Sequence, residues 1–332
     1  MEQFRPNPEL RLLDQLTQVL RYHHYAYTTQ KSYRSWIRHY IGYHQNRHPA
    51  EMGKLEIEAF LSYLAETRRV SASTQKQALN AIVFFYKRVL FIPVDEALEM
   101  VRAKKQKRMP VVLSQDEVQS VLFNMKGTYR LMGRLMYGGG LRLMECIRLR
   151  VKDIDFSGGK LYIHIAKGGK DRVTLLPHAI RDELAHHVQR VLGLHDEDLT
   201  EGFGAVYIPP ALLRKYPSSA KDPGWQYVFP SRNRSIDPAS GIERRHHVME
   251  SGLQKAVKRA VRETGITKRA TSHTFRHCFA THLLENGVNI RVVQELMGHS
   301  DVKTTEVYTH VMNKGINEIA SPLDVAMGVG PA

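Results

Sequence analysis

Residues 102–110 read Arg-Ala-Lys-Lys-Gln-Lys-Arg-Met-Pro, five positive charges in seven positions followed by Met109 and Pro110. Like charges repel along such a run, and proline disfavours helix at the residue before it. The segment therefore reads as a basic linker over 102–110. It separates a first domain, 1–101, from a second, 111–332. Two domains also fit a chain of 332 residues, at roughly 150 residues per domain.

Upstream of the linker, every periodic segment is helical. Leu12, Leu13, Leu16, Val19 and Leu20 share one face, and so do Tyr33, Trp36, Ile37, Tyr40 and Ile41, with Thr28 or Thr29 as the expected N-cap. Leu55, Phe60, Leu61 and Leu64 make a third stripe. Leu79, Ile82, Val83, Tyr86 and Leu90, after Ser71–Thr74, make a fourth. Four amphipathic helices with short loops predict a helical bundle. Lys31, Arg34 and Arg38 lie among tyrosines on the first two helices. That mixture suits a nucleic-acid face as well as an ordinary solvated one.

Downstream, Ser114-Gln-Asp-Glu117 is a capping box that starts a helix. A second helix over 131–137 is expected to stop at Gly138-Gly-Gly140, and a third to span 141–149. Leu161–Ala166 and Arg172–Leu176 read as strands joined by Lys167-Gly-Gly-Lys-Asp171, a hairpin signal. Further helices are expected over 180–192, 248–263, 273–285, 290–297 and 303–310. The whole is mainly α, an α+β arrangement with one small antiparallel sheet. Residues 193 to about 241 break the rhythm with prolines, glycines and aromatics. Long irregular stretches of this kind are usually functional or disordered, and the aromatic content favours order.

Charge gives the first pointer to function. The chain holds 48 Lys and Arg against 33 Asp and Glu, a net of +15. Residues up to Pro110 supply 18 basic and 10 acidic groups, a net of +8, and the remaining 30 and 23 supply +7. Both domains are basic, so an extended polyanion touching both is the simplest partner. The linker residues Lys104, Lys105, Lys107 and Arg108 would strap that polyanion. Ordinary composition, 42% hydrophobic and 24% charged, excludes fibrous and disordered classes. No apolar run is long enough for a membrane helix, and two cysteines exclude a disulfide framework and suit a reducing cytosol.

His273 and Arg276 sit three apart on one helical face, and Arg142 follows the glycine run with a second guanidinium. Paired guanidiniums suit a phosphate or its transition state. Lys167 at a hairpin tip, His299 after a glycine helix stop, and Tyr308 nine residues later complete a set able to break a phosphodiester without metal. The tyrosine attacks phosphorus, arginines and histidines stabilise the charge, and the lysine protonates the leaving oxygen. A zinc reading of His273, His277, Cys278 and His282 is disfavoured, because the HExxH glutamate is missing and Arg276 would stand beside the metal. No Gly-rich nucleotide loop is present, so neither metal nor other cofactor is expected.

Tyr137-Gly-Gly-Gly-Leu-Arg142-Leu-Met-Glu145, the lysine hairpin, His273-x-x-Arg276-His277, Leu296-Met-Gly-His299-Ser and Tyr308-Thr-His, in this order, resemble the tyrosine recombinases along the whole chain. The resemblance implies a helical core-binding domain, a linker and a catalytic domain. It also implies Arg142, Lys167, His273, Arg276, His299 and Tyr308 as the catalytic set, with Glu145 supporting the first arginine. Met297 stands where leucine is more frequent, a volume-conserving change. Ala211-Leu-Leu-Arg-Lys-Tyr-Pro217, Trp225-x-Tyr-Val-Phe-Pro230 and Arg244-Arg-His-His247 further resemble the extra segment of integron integrases. That implies gene-cassette sites recognised as folded single strands beside double-stranded integron sites, with Arg244 and Arg245 on DNA. Trp225, Pro238, His246 and His247 are expected at extrahelical bases. A cyclic homotetramer, docked through the apolar segment 316–332, is expected on DNA, in the cytoplasm at the nucleoid. A recombinase of Xer or phage type on ordinary duplex sites, and an inactive architectural DNA-binding protein, are the alternatives.

Overall fold

The computed structural model describes residues 4–94, 99–103, 109–164, 171–237 and 240–309. Two units divide between Arg108 and Met109. Lys104, Lys105, Lys107, Arg108, Lys167, Pro238 and the 316–332 segment lie outside the described residues.

The first unit is helical: α1 (Leu12–Tyr22), α2 (Tyr27–Tyr43), α3 (Lys54–Glu66) and α4 (Ala72–Phe85). The expected apolar stripes supply most of its core, with Leu16, Leu20, Ile37, Phe60, Ile82 and Tyr86 buried; Phe85, outside the expected stripe, is buried too, and Leu55 instead faces solvent. Ser71 caps α4 by accepting from the Thr74 amide at 3.2 Å. Helix α2 begins earlier than expected, with Ala26 at its N-cap, so Thr28 and Thr29 fall inside its first turn. Arg34 also departs from expectation. Its Nη1 donates to Leu13 O, Asp14 Oδ1 and Thr17 Oγ1 at 2.7–2.9 Å, tying α2 to α1 rather than facing a ligand. Lys31 and Arg38 are exposed.

In the second unit, α5 (Gln115–Asn124), α6 (Gly127–Gly139), α7 (Leu143–Arg148), α8 (Arg181–Thr200), α10 (Glu250–Glu263) and α11 (Ser272–Glu285) surround a small sheet. The sheet is antiparallel, β1 (Ile154–Asp155), β2 (Lys160–Ile163) and β3 (Arg172–Leu175), with Leu161 opposite Thr174. Strand β1 is too short to carry a period and was not expected. Helix α9 (Pro210–Lys215) and the two-residue strands β4 (Ser235–Ile236) and β5 (Glu243–Arg244) belong to the irregular segment. Helices α12 (Ile290–Met297) and α13 (Lys303–Glu306) finish the described chain. The last helix is shorter than expected, and Tyr308 sits in the turn after it.

The glycine run does not end α6 at Gly138. Gly138 and Gly139 stay helical because bare backbone lets the helix approach the 175–177 segment; a Cβ on Gly138 would lie 2.3 Å from Pro177 Cγ. Gly140 then closes the helix in the left-handed region, φ +63°, the common glycine cap. Helix α7 correspondingly starts at Leu143, with Arg142 as its N-cap.

The irregular segment starts later than residue 193, because α8 runs on to Thr200. Its inward positions there are His195 and Asp198, so the helical spacing is present but not carried by apolar residues. Asp198 takes Arg245 through Nε and Nη2 at 2.6 and 2.7 Å, and Arg234 through Nη1 at 2.7 Å. Arg245 also donates to Ser231 O and Arg232 O, so it is an internal brace and not the DNA contact expected. Val206, Ile208 and Tyr227 form a small core of the segment's own. Arg150 fastens that core from below, donating to Trp225 O and Tyr207 O with its guanidinium 3.7 Å over the Tyr227 ring. Among the described residues no helix is long and apolar enough to cross a membrane.

Gly140→Ala combines a left-handed backbone with a Cβ 2.4 Å from Phe279 Cδ1. It is expected to cost at least about 2 kcal/mol, read by urea denaturation. A loss below about 0.5 kcal/mol would show that this turn relaxes freely.

Candidate active site

Arg142 stands half-buried at the head of α7, its side chain 39% accessible. Its backbone N–H donates to Glu145 Oε2 and its Nη1 to Glu145 Oε1, both at 2.7 Å. The same carboxylate receives Arg172 Nη1 and Nη2 at 2.8 and 2.7 Å, and Arg276 Nη1 lies 3.8 Å away. Burial alone would raise the Glu145 pKa. Hydrogen bonds and charge from Arg172, joined by Arg142, instead hold it down at about 2. One carboxylate thus faces three guanidiniums, leaving net positive charge where a phosphate would fit.

Arg276, on α11, is 1% exposed. Its Nη1 donates to Gly140 O and its Nη2 to Met297 O, so the glycine turn and the end of α12 supply the acceptors a buried cation requires. Burial, with Arg142 nearby, brings its pKa down to about 9. Arg276 Nη2 also lies 3.3 Å from His299 Nε2. Arginine has only donors, so Nε2 accepts and His299 Nδ1–H donates to Thr305 Oγ1 at 2.9 Å. Gly298, in the left-handed conformation at φ +61°, turns the chain off α12 to place His299 there. Burial and the surrounding guanidiniums lower the His299 pKa to about 4.

Tyr308 is 5% exposed and packs beside Phe279, Val293 and Met297. Its hydroxyl lies 3.0 Å from His277 Nδ1, and its ring is near parallel to His299 at 6.3 Å between centroids. Burial raises the phenol's pKa while Arg276 and Arg142 pull against that rise. His277 is brought to about 4, chiefly by burial. His273, one turn ahead, is solvent-exposed, with its ring edge-on to His277 at 4.6 Å. Arg142, Glu145, His273, Arg276, His299 and Tyr308 therefore belong to one cluster.

Three members were not anticipated in these positions. Arg172 occupies an inward-facing strand position, and a cation there demands a buried acid. Thr305 fixes the His299 tautomer. His277 follows Arg276 directly and takes the Tyr308 hydroxyl. His282, considered with zinc in mind, is instead 2.8 Å from Tyr137 Oη and 2.9 Å from Leu113 O. No group of three His, Cys, Asp or Glu able to hold a metal occurs among the described residues.

The residues expected at extrahelical bases are placed unequally. Trp225 is half-buried, with Lys152 Nζ 3.4 Å over its ring. His247 is buried and donates Nδ1–H to Val248 O. His246 is exposed, and with Tyr207, Ile236 and Arg244 it lines an open cavity of about 220 Å³. Arg244 lies 3.7 Å from Asp237 and is largely covered.

Residues 111–314 match the model of the phage integrase family, and residues 12–96 match its N-terminal SAM-like domain. An "Integrase/recombinase" of Escherichia coli is 46% identical over 322 residues, 96% of each chain. "Tyrosine recombinase XerD" of Oceanobacillus iheyensis is 30% identical, covering 88% of this chain and 90% of that protein. The fold is similar to that of a chain in the crystal structure of a lambda integrase tetramer bound to a Holliday junction, TM-score 0.62 at 16% identity, over 93% of this chain and 79% of that one. With the arginine–histidine–tyrosine cluster assembled as described, the chain belongs to the phage integrase family, the tyrosine recombinases.

Proposed function

We infer that this recombinase is an integron integrase, which inserts and excises gene cassettes by cutting and rejoining DNA through a 3′-phosphotyrosine. The observation that carries the chemistry is the convergence of Tyr308, His277, His299 and Arg276 beside the Arg142–Glu145 pair. Tyr308 Oη attacks the scissile phosphorus and the P–O5′ bond breaks. Arg142 and Arg276 hold the non-bridging oxygens, worth about 10²–10³ in rate for each such donor. His299, neutral and fixed in tautomer, and His273 at the rim assist charge and proton movement. His277 orients the phenol, and Lys167 protonates the leaving 5′-oxygen. The ester conserves the bond's energy, so a 5′-hydroxyl from the partner strand reverses the step without ATP.

The irregular segment supports the cassette reading. Its Asp198–Arg234–Arg245 network and the Tyr227 core hold a rigid platform, and the cavity beside His246 and Tyr207 has room for one base. Stacking on such rings is worth about 1–3 kcal/mol per base and tolerates varied sequence. A folded single strand with bases out of its stem fits that feature, and double-stranded sites use the shared cluster alone. Four protomers on two sites, joined through residues 316–332, complete the assembly; the similar lambda integrase structure is a tetramer bound to a Holliday junction.

Tyr308→Phe is expected to keep DNA affinity within about twofold and to abolish the covalent adduct on a nicked suicide substrate. An adduct surviving in that variant would identify another nucleophile. His246→Ala is expected to weaken binding to the bottom-strand hairpin of a cassette site by about tenfold, one stacking contact, while leaving duplex binding unchanged. Equal loss on both would remove the specialised role of the segment.

His277 and His299 are depressed from 6.5 to about 4. Between those values the unfolded chain binds more protons than the folded one, so the stability they contribute is complete above about pH 6.5 and is lost as pH falls through 4. The melting temperature should drop over that interval, and His299→Asn should flatten the drop. A melting temperature constant from pH 6.5 to 4 would contradict the neutral assignment.

A further inference from the structure

Arg172 opens β3, yet its side chain turns inward and is only 5% exposed. All three of its nitrogens are committed. Nη1 and Nη2 grip the Glu145 carboxylate at 2.8 and 2.7 Å, and Nε donates to Leu296 O at 2.8 Å. On one side, Glu145 is the group that holds Arg142 by side chain and backbone. On the other, Leu296 O belongs to the last turn of α12, and the next carbonyl, Met297 O, receives Arg276. Two residues beyond Leu296 the chain turns at Gly298, where an added Cβ would lie 2.6 Å from Arg172 Cδ. The helix end is packed directly onto this side chain, and His299 leaves from it.

We propose that Arg172 is a positioning residue for strand cleavage, setting the spacing between Arg142 on one side of the scissile phosphate and Arg276 with His299 on the other. Neutralising Glu145 would need only a charge nearby. A planar fork that spends two nitrogens on the acid and the third on a helix carbonyl does more, because it fixes a distance. Lysine, with one nitrogen on a flexible stem, cannot bridge both partners in that geometry. The side chain does not touch DNA in this role; it acts through Glu145 and through the end of α12. The inference rests on the assignment of Arg142 and Arg276 to the phosphate oxygens.

That role predicts a defect that depends on the charge of the reacting group. Suicide substrates are made with either a normal phosphate or a neutral methylphosphonate at the scissile position, on a cassette-site hairpin and on a double-stranded attachment site. The full-length parent, Arg172→Lys and Arg172→Gln are compared by rate of covalent adduct, DNA affinity and melting temperature. Both variants are expected to bind DNA like the parent and to form adduct about 100-fold more slowly on phosphate. Relative to the parent, the deficit should shrink at least about tenfold on methylphosphonate, where misaligned guanidiniums have less charge to stabilise. A parental rate on phosphate, or an equal deficit on both chemistries, overturns the proposal. Should Arg172→Gln fail to fold, Arg172→Lys decides by the same two criteria, and a Lys variant that also fails to fold assigns the residue to stability alone and overturns it. A parent that forms no adduct through Tyr308 on either substrate refutes the site assignment itself. A parent active only on the duplex refutes the cassette reading and leaves Arg172 to be judged there.

Discussion

Glu145 is the constraint on which the second unit turns. Three guanidiniums approach one largely covered carboxylate, and the two buried ones, Arg172 and Arg276, keep their charge at that depth through it and through backbone carbonyls that receive further N–H groups. Those carbonyls come from places that have to be shaped for the purpose. Gly140 offers one because a left-handed residue ends α6 there, and the last turn of α12 offers two because Gly298 ends it in the same way. The glycines are thus part of the electrostatics. They let peptide oxygens reach cations that no side-chain acid could reach without cancelling the positive charge a phosphate needs.

That charge explains the histidines. Beside Arg276 and Arg142 a protonated imidazole is doubly disfavoured, by burial and by repulsion, so His277 and His299 remain neutral near pH 7 and their nitrogens divide into one donor and one acceptor. For His299 the division is set by its partners: Arg276 can only donate, which leaves the other nitrogen to bond Thr305. Tyr308 is seated by the same logic, with its ring in an apolar pocket and its hydroxyl on the neutral His277. Burial disfavours its phenolate, and the charges of Arg276 and Arg142 work against that rise.

Arginine also serves away from the site as an internal cross-link. Arg34 ties α1 to α2, Arg150 fastens the irregular segment, and Arg234 with Arg245 encloses Asp198. Arg34 and Arg245 were candidates for a surface role by charge, whereas Arg150 and Arg234 carry no motif that singles them out. A guanidinium with five donors satisfies several carbonyls at once, so in segments with little apolar material it does the work that a hydrophobic core does elsewhere. The segment after α8 is built this way around a small centre of Val206, Ile208 and Tyr227.

The sequence by itself determined the two-part organisation, the helical character, the family and the main polar cluster, because those depend on local spacing and on motifs whose order along the chain is informative. The helical stripes of the first unit and the pairs around Arg142, His273 and Arg276 are legible in this sense. The tertiary structure alone decided which cations face outward and which are consumed inside. Arg172 and Arg245 look like any other basic residue until the strand and helix that bury them are in place. It also decided that α8 continues through His195 and Asp198, whose inward polar groups find partners tens of residues away. A hydrogen bond between distant residues leaves no period in the chain, and so charge can be counted from the sequence while its destination cannot.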